Sequence, residues 1–571
     1  MTNFYNDNQD IQFHLDNMDL ERVVELKEDK FADSGKFPYA PKDHEDALDS
    51  YKKVLEIVGG ITGEYIAPRA PEIDKEGAKF IDGEVYYAKG TEEALEALKK
   101  ADLMGFTLPR KYGGINMPKT VYSMAIEMIS RSEAGLMNLF GLQDIADTIY
   151  WFGTEEQKDN YLPRFAKGEV SGAMALTEPD AGSDLQAVML KATPDEDGNW
   201  YLNGSKRFIT NGKADVSLVL ARSEENTSGG KGLSLFIYER DENLKIRRIE
   251  HKLGIHSSPT CELQYNNAKA ELLGRRKFGL IKYTMSLMNG ARLGVSGQAI
   301  GIAEAAYREA YKYANERSQF KKEIRQFCPV YEMLTDMKMS IEAGRVLLYE
   351  TSKIVDIKEG LEERIEHHPE TRNDLRSDIQ RYNKLAALYT PLLKSYTTEM
   401  CNKVAYDAIQ IHGGVGFTTE FNVERHYRDA RITNIYEGTT QLQVIAAIGG
   451  VMNGTLFEFL NEFEENHDLQ SLNEMYDDLK EIRNSMEEAV AHIKKKDVTI
   501  YQDFHARRLV DMASAISCSY LLCISGLKCD RKRAMAKLFL RKTKHQVQSS
   551  YDYILSDDYN MVELHSQIID K

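Results

Sequence analysis

Hydrophobic periodicity changes character twice along the chain, and nothing else in the sequence restricts the fold as much. From about residue 44 to 170, apolar residues recur at three and four positions in EDALDSYKKVLEIVG, EEALEALKKADLMG and VYSMAIEMISRSEAGLMNLFGLQDIADTIYWFG, the spacing of one helix face. From about 171 to 283 short alternating runs take over, WYLNGSKRFITNG, VSLVLARS and LSLFIYE, with DEDGN and SGGKG between them. That pattern predicts a compact β-domain. Helical spacing returns from about 284 to 448, in segments such as GQAIGIAEAAYREAYKYANER that are long enough to pack as a bundle. After Gly449 and Gly450 the acidic stretch FEFLNEFEENHDLQ reads as a solvated connector, and the text from about 465 is helical again. The expected class is α+β, mainly α: an N-terminal extension (1–43), a helical domain (44–170), a β-domain (171–283), a helical bundle (284–448), and a linker with an additional helical domain (449–571).

Composition narrows the function classes. A chain of 571 residues with a net charge of −16 lacks the basic balance that general phosphate binding needs, which argues against nucleic acid as a general partner while leaving room for local basic spots. Mean hydropathy of −0.47 argues against a membrane body. The most apolar long run, LVDMASAISCSYLLCISGL (509–527), carries an aspartate and four serines and reads as a buried helix rather than a membrane span. The start, MTNFYNDNQDIQFHLDN, lacks the pattern of a secretory signal or transit peptide, so the expected location is the cytoplasm. Six cysteines without a CxxC pair predict reduced thiols and no zinc site. His412 and His426 read as satisfied polar residues, and no metal is expected.

Three stretches carry chemical information. AMALTEPDAGSDL (173–185) offers hydroxyls and a glycine that lets backbone N–H groups approach a ligand; alone, such a loop is more often just a turn. SKRFITNG (205–212) ends a strand with an aromatic and a hydroxyl, suited to a flat ligand, though ordinary strand packing would look the same. QIHGGVGFTTEFNVERHYRDARITNIYEGTTQLQ (410–443) is richer: Gly413, Gly414 and Gly416 permit a tight turn, and Glu437 stands between an aromatic ring and a glycine. GGVG is not the GxGxxG of a dinucleotide fold and follows no predicted strand.

Together, AMALTEPDAGSDL, the FGTEEQKDNYLPRFAKGE before it and the 410–443 stretch resemble the two signature regions of the acyl-CoA dehydrogenase family, in the right order. FTLPRKYGG, YLNGSKRFITNG, GIHSSPTCEL, MNGARLGVSGQAIGIAEAA and ERSQF support the resemblance, which covers about residues 44–448. Length and the GIHSSPTCEL text are most similar to the family's long form with a C-terminal helical extension, seen in broad-range bacterial acyl-CoA dehydrogenases and the methylmercaptopropionyl-CoA type.

The resemblance implies FAD held between the β-domain and the C-terminal bundle. Leu176, Thr177, Ile209 and Thr210 would contact the flavin, Gly182 and Ser183 its pyrophosphate side, and Thr439 and Gln441 would also touch it. Phe208 stands where the family usually has tryptophan. A second subunit would complete the cofactor site through Arg317, Phe320, Gln410, Gly413 and Gly414, although Lys321 and Cys328 replace a usual glycine and glutamine nearby. Glu437 would be the base that takes the α-proton of an acyl-CoA thioester, with Ser183, Asn289, Arg292, Tyr436 and Gly438 towards the substrate. Some subfamilies place the base one residue before the motif arginine; here Ala291 closes that alternative. The implied partners are an electron-transferring flavoprotein and a second copy of the chain, as a homodimer or a tetramer. An acyl-CoA oxidase and a non-catalytic protein on the same fold are the competing readings.

Overall fold

The β-domain is a sheet that closes on itself. The computed structural model describes residues 2–569. A short hairpin, β1 (Lys79–Ile81) and β2 (Glu84–Tyr86), precedes seven strands in one sheet: β3 (Gly172–Ala175), β4 (Lys191–Pro194), β5 (Trp200–Thr210), β6 (Val216–Arg222), β7 (Leu233–Glu239), β8 (Leu244–Ile249) and β9 (Thr260–Leu273). β6 pairs with β7, β7 with β9, β9 with β5 and β5 with β4, and β4 returns to β6 through the parallel pair Lys191–Arg222. Strand β6 is buried on both faces. Val219 and Ala221 fill the interior with Phe236 and Tyr265, while Val216, Leu218 and Leu220 pack outward against Ile145, Ile149 and Leu162 of the helical domain. Both faces need apolar residues, so β6 reads as a continuous rather than an alternating run.

The expected long helical run of the N-terminal domain breaks into Lys119–Ser132, Ala134–Phe140 and Asp144–Phe152. Glu133 makes the first break: its carboxylate caps the N–H groups of Gly135 and Leu136 and starts the second helix. Lys119–Ser132 is buried on nearly every face, because it lies against the bundle helices Met285–Glu316 and Cys328–His367. Those two and Arg376–His412 form the body of the bundle. Between the first two, β10 (Ser318–Gln319) and β11 (Lys322–Glu323) make a small hairpin.

One sequence expectation is corrected here. The acidic stretch after Gly450 is not a solvated connector: it forms helix Thr455–Asn466, which buries Leu456, Phe459, Leu460 and Phe463. Those four residues recur at helical spacing, and the charges occupy the other face. The additional C-terminal helices are present as expected, Glu474–Lys496, Thr499–Lys528 and Asp530–Leu555, and they share one continuous core with the bundle. Thr499–Lys528 is long and apolar enough to cross a membrane by composition, but 89% of its most apolar window is buried inside the protein. The six cysteines are free.

A buried ionic cluster ties these parts together. Arg345, wholly inaccessible, donates to Glu127 (2.5 Å), Glu342 (2.7 Å) and Glu304 (3.1 Å). Lys532 of the C-terminal helices donates to Asp10 (2.8 Å) and to Glu342, whose carboxylate also meets His14 at 2.7 Å. Residues 10 and 14 belong to the first forty, so the N-terminal extension, the helical domain, the bundle and the C-terminal helices meet at this one cluster.

Candidate active site

The loop from Ile435 to Thr439 joins helix Val423–Thr433 to helix Thr440–Met452. Glu437 (φ 52°) and Gly438 (φ 85°) take successive left-handed conformations there, and the hydroxyl of Thr439 then caps Leu442. Gly438 is required: a Cβ would sit 2.8 Å from Gln443 Nε2. Burial raises the Glu437 carboxyl above its ordinary value, against the opposing pull of Lys394 and Arg292. Arg292 is itself buried, donates to Asn289 Oδ1 at 3.0 Å and has no partner for its Nε among the described residues. Tyr436 donates to Asn138 Oδ1 (3.2 Å) and to Gln298 Oε1, which ties the loop to the N-terminal domain and to the bundle helix Met285–Glu316.

Strand β5 carries the second part. Between Lys206 and Ile209 the pairing with β9 slips, leaving Arg207 and Phe208 opposite Glu262 alone, and Phe208 takes φ 59°. This bulge turns the Phe208 ring outward, about half exposed, with the Arg207 guanidinium 4.7 Å over it. The hydroxyl residues Thr177 and Thr210 are part-exposed nearby in the chain fold, and Arg207 N–H donates to Thr177 O. Leu176 and Ile209 are buried in apolar cores, so only their main chain can face a ligand.

Sequence reasoning missed Lys206 and Glu178, which hold this loop. Lys206, fully buried, donates to Leu176 O (2.7 Å) and Glu178 (2.9 Å), while Glu178 accepts from the Met189 and Leu190 N–H groups. Burial lowers the Lys206 ammonium to about 8. Gly182 and Ser183 are left exposed on the turn between.

The third part lies at one end of the bundle. Tyr313 stacks on His412 at 4.4 Å, which places Arg317 and the Gly413–Gly414 pair, just beyond those helix ends, on the same side. Phe320, 89% exposed, and Lys321 both take positive φ in the tight turn between β10 and β11. Gln410, Gly413 and Gly414 are exposed, and no atom lies within 4 Å of a Cβ built on either glycine. Gln441 is exposed on the helix that follows the Glu437 loop. His412 and His426 have partners, Ala408 O and Glu309 respectively.

An outward aromatic face flanked by hydroxyls and a glycine turn fits a flat, hydrogen-bonding heterocycle, and the Glu437 carboxyl, raised by burial, suits proton transfer; these are the features of a flavin-dependent oxidoreductase. Comparison with known proteins agrees. The acyl-CoA dehydrogenase N-terminal domain matches residues 49–169, the middle domain 173–268, the C-terminal domain 293–441, and the family described as acyl-CoA dehydrogenase C terminal 452–562. The chain therefore belongs to the acyl-CoA dehydrogenase family, whose members are FAD-dependent oxidoreductases. It is 35% identical over 432 residues to 3-methylmercaptopropionyl-CoA dehydrogenase of Ruegeria pomeroyi, covering 70% of each chain. A crystal structure of an acyl-CoA dehydrogenase complexed with FAD from Bacillus anthracis matches in fold over 90% of both chains, with a TM-score of 0.76 and 23% identity. A chain in a structure described as the electron transferring flavoprotein of Acidaminococcus fermentans matches with a TM-score of 0.60 and 32% identity, over 70% of this chain and 96% of that one.

Proposed function

We propose that the chain oxidises an acyl-CoA thioester between its α- and β-carbons to the trans-2-enoyl-CoA, with Glu437 taking the α-proton. The setting of Glu437 carries this reading: a carboxyl fixed at φ 52° and raised by burial, beside two cations. An α-proton next to a thioester is weakly acidic, so its base must be stronger than an exposed carboxylate yet ionised before reaction. Burial supplies the first property, and Lys394 with Arg292 the second. Tyr436, fastened to Asn138 and Gln298, covers the base from one side. Asn289, Arg292, Gly438 and Ser183 are the groups assigned to the thioester and the CoA chain.

Thr177, Phe208, Thr210, Gly182 and Ser183 would hold FAD with Thr439 and Gln441, and Arg317, Phe320, Gln410, Gly413 and Gly414 would reach the FAD of a partner subunit. FAD, when bound, supplies the acceptor for the β-hydride. An electron-transferring flavoprotein is the proposed oxidant of the reduced enzyme, a reading supported by the Acidaminococcus fermentans match. The test is anaerobic bleaching of the flavin against short, long, branched, aromatic and sulfur-containing acyl-CoAs, followed by mixing with air or with an electron-transferring flavoprotein. Bleaching by at least one thioester and slow reaction with air are expected. No bleaching by any member refutes the activity, and peroxide formation at turnover speed makes the enzyme an oxidase.

A further inference from the structure

The Glu437 loop belongs to neither neighbouring helix, so its carbonyls need donors from elsewhere. Two side chains supply them. Lys394, in the middle of helix Arg376–His412, donates through Nζ to Tyr436 O at 2.7 Å and to Gly438 O at 2.5 Å. Gln443 donates through Nε2 to Glu437 O at 3.2 Å and to Gly438 O at 2.9 Å. Three consecutive carbonyls, those of residues 436–438, are thus drawn to one side. Each trans peptide points its N–H opposite to its C=O, so the N–H groups of residues 437–439 turn to the other.

We propose that Lys394 is a positioning residue for Glu437: it holds the base loop by the carbonyls on either side of the acid, and its charge sets the basicity of that acid. The proposal rests on Glu437 being the base. Lys394 is inaccessible to solvent, and both its hydrogen-bond partners are neutral carbonyls, so its cation has been carried into the interior without a bonded counter-ion. The charged groups that face it are Glu437, Arg292 and Glu399. Those facing Glu437 are Lys394 and Arg292, and Asp144 of the N-terminal domain also feels the Glu437 charge. Burial brings the Lys394 ammonium down to about 7. Each charge favours the other, so a proton gained by Glu437 weakens the hold on the proton of Lys394.

The test uses the FAD-loaded enzyme and reads the Glu437 carboxyl by difference infrared spectroscopy, with Glu437→Gln as the reference, alongside the rate of flavin reduction. Lys394→Met should move the Glu437 midpoint up by about one pH unit or more, because an opposite charge is lost, and should slow reduction at neutral pH. Lys394→Gln keeps two donors and drops the charge; it should give the same shift with a smaller loss of rate. Gln443→Leu should slow reduction and leave the midpoint in place. An unmoved midpoint in both Lys394 variants overturns the proposal. Wild-type reduction by Glu437→Gln would instead remove the base assignment, and the infrared midpoints would still report whether Lys394 acts on Glu437.

Discussion

Phe208, Phe320 and Glu437 are side chains with a Cβ held at φ near 50–60°, where a glycine would sit without strain. Each is aimed where a regular strand or helix would not send it. At Glu437 the strain is offset by the Lys394 and Gln443 hydrogen bonds, and the next residue has no such freedom. Gly438→Ala puts a Cβ against Gln443 Nε2 at φ 85° and should cost about 1–2 kcal/mol, seen as a lower melting temperature together with slowed flavin reduction. The raised Glu437 carboxyl also sets the pH profile. A base must be ionised to act, so reduction should fail as pH drops through the raised value, above the ordinary 4.5 of a glutamate. A reduction rate that stays flat down to that ordinary value would contradict the account.

At the scale of elements, the buried cluster around Arg345 and Lys532 is what a C-terminal helix needs in order to dock on the bundle with charges inside. Lys532→Met takes one cation from Asp10 and Glu342, which keep Lys338, Arg531 and Arg345, so the loss should fall below the about 3–5 kcal/mol of an unpaired buried charge. Thermal melts should show it, and Glu342→Gln added to Lys532→Met should recover part of the loss. The carboxyl of Glu342, although burial opposes it, is held well below its usual range by Lys532 and His14, with the nearby Asp10 pulling the other way. Its contribution to stability is therefore complete above the unfolded carboxylate value near 4.5 and disappears only as pH falls below it. Such a cluster could not be found from sequence, because residues 10, 127, 304, 342, 345 and 532 have no local pattern in common. The same is true of Lys394 and of the Lys206–Glu178 pair, whose partners are fixed by packing. The texture of the domains and the Glu437 loop were legible, since periodicity and a contiguous motif are local properties. Helix Thr455–Asn466 was misread because its charge drew more weight than its four apolar positions, and the Phe208 bulge was hidden because register depends on the facing strand.

At the scale of the molecule, the exposed end of the bundle with Phe320, Gln410 and the glycine pair is proposed to meet a second copy, and the C-terminal helices to cover the face on which further copies would assemble. Light scattering at two concentrations should give a dimer. A monomer with full FAD would remove the shared cofactor site, and a tetramer would remove the role given to helices Glu474–Lys496 through Asp530–Leu555.

The proposed chemistry turns on one carboxyl, so the most direct measurement is stopped-flow reduction of the FAD-loaded Glu437→Gln enzyme by a good acyl-CoA substrate under anaerobic conditions. The amide keeps the shape and most hydrogen bonds of the acid but cannot accept the α-proton. FAD content and thioester binding should be unchanged while bleaching slows by at least about a hundredfold to ten-thousandfold, with part of the rate restored when Ala291→Glu supplies a carboxylate from the neighbouring helix. Bleaching at the wild-type rate with full cofactor would mean that Glu437 only begins a turn, and that the base lies elsewhere.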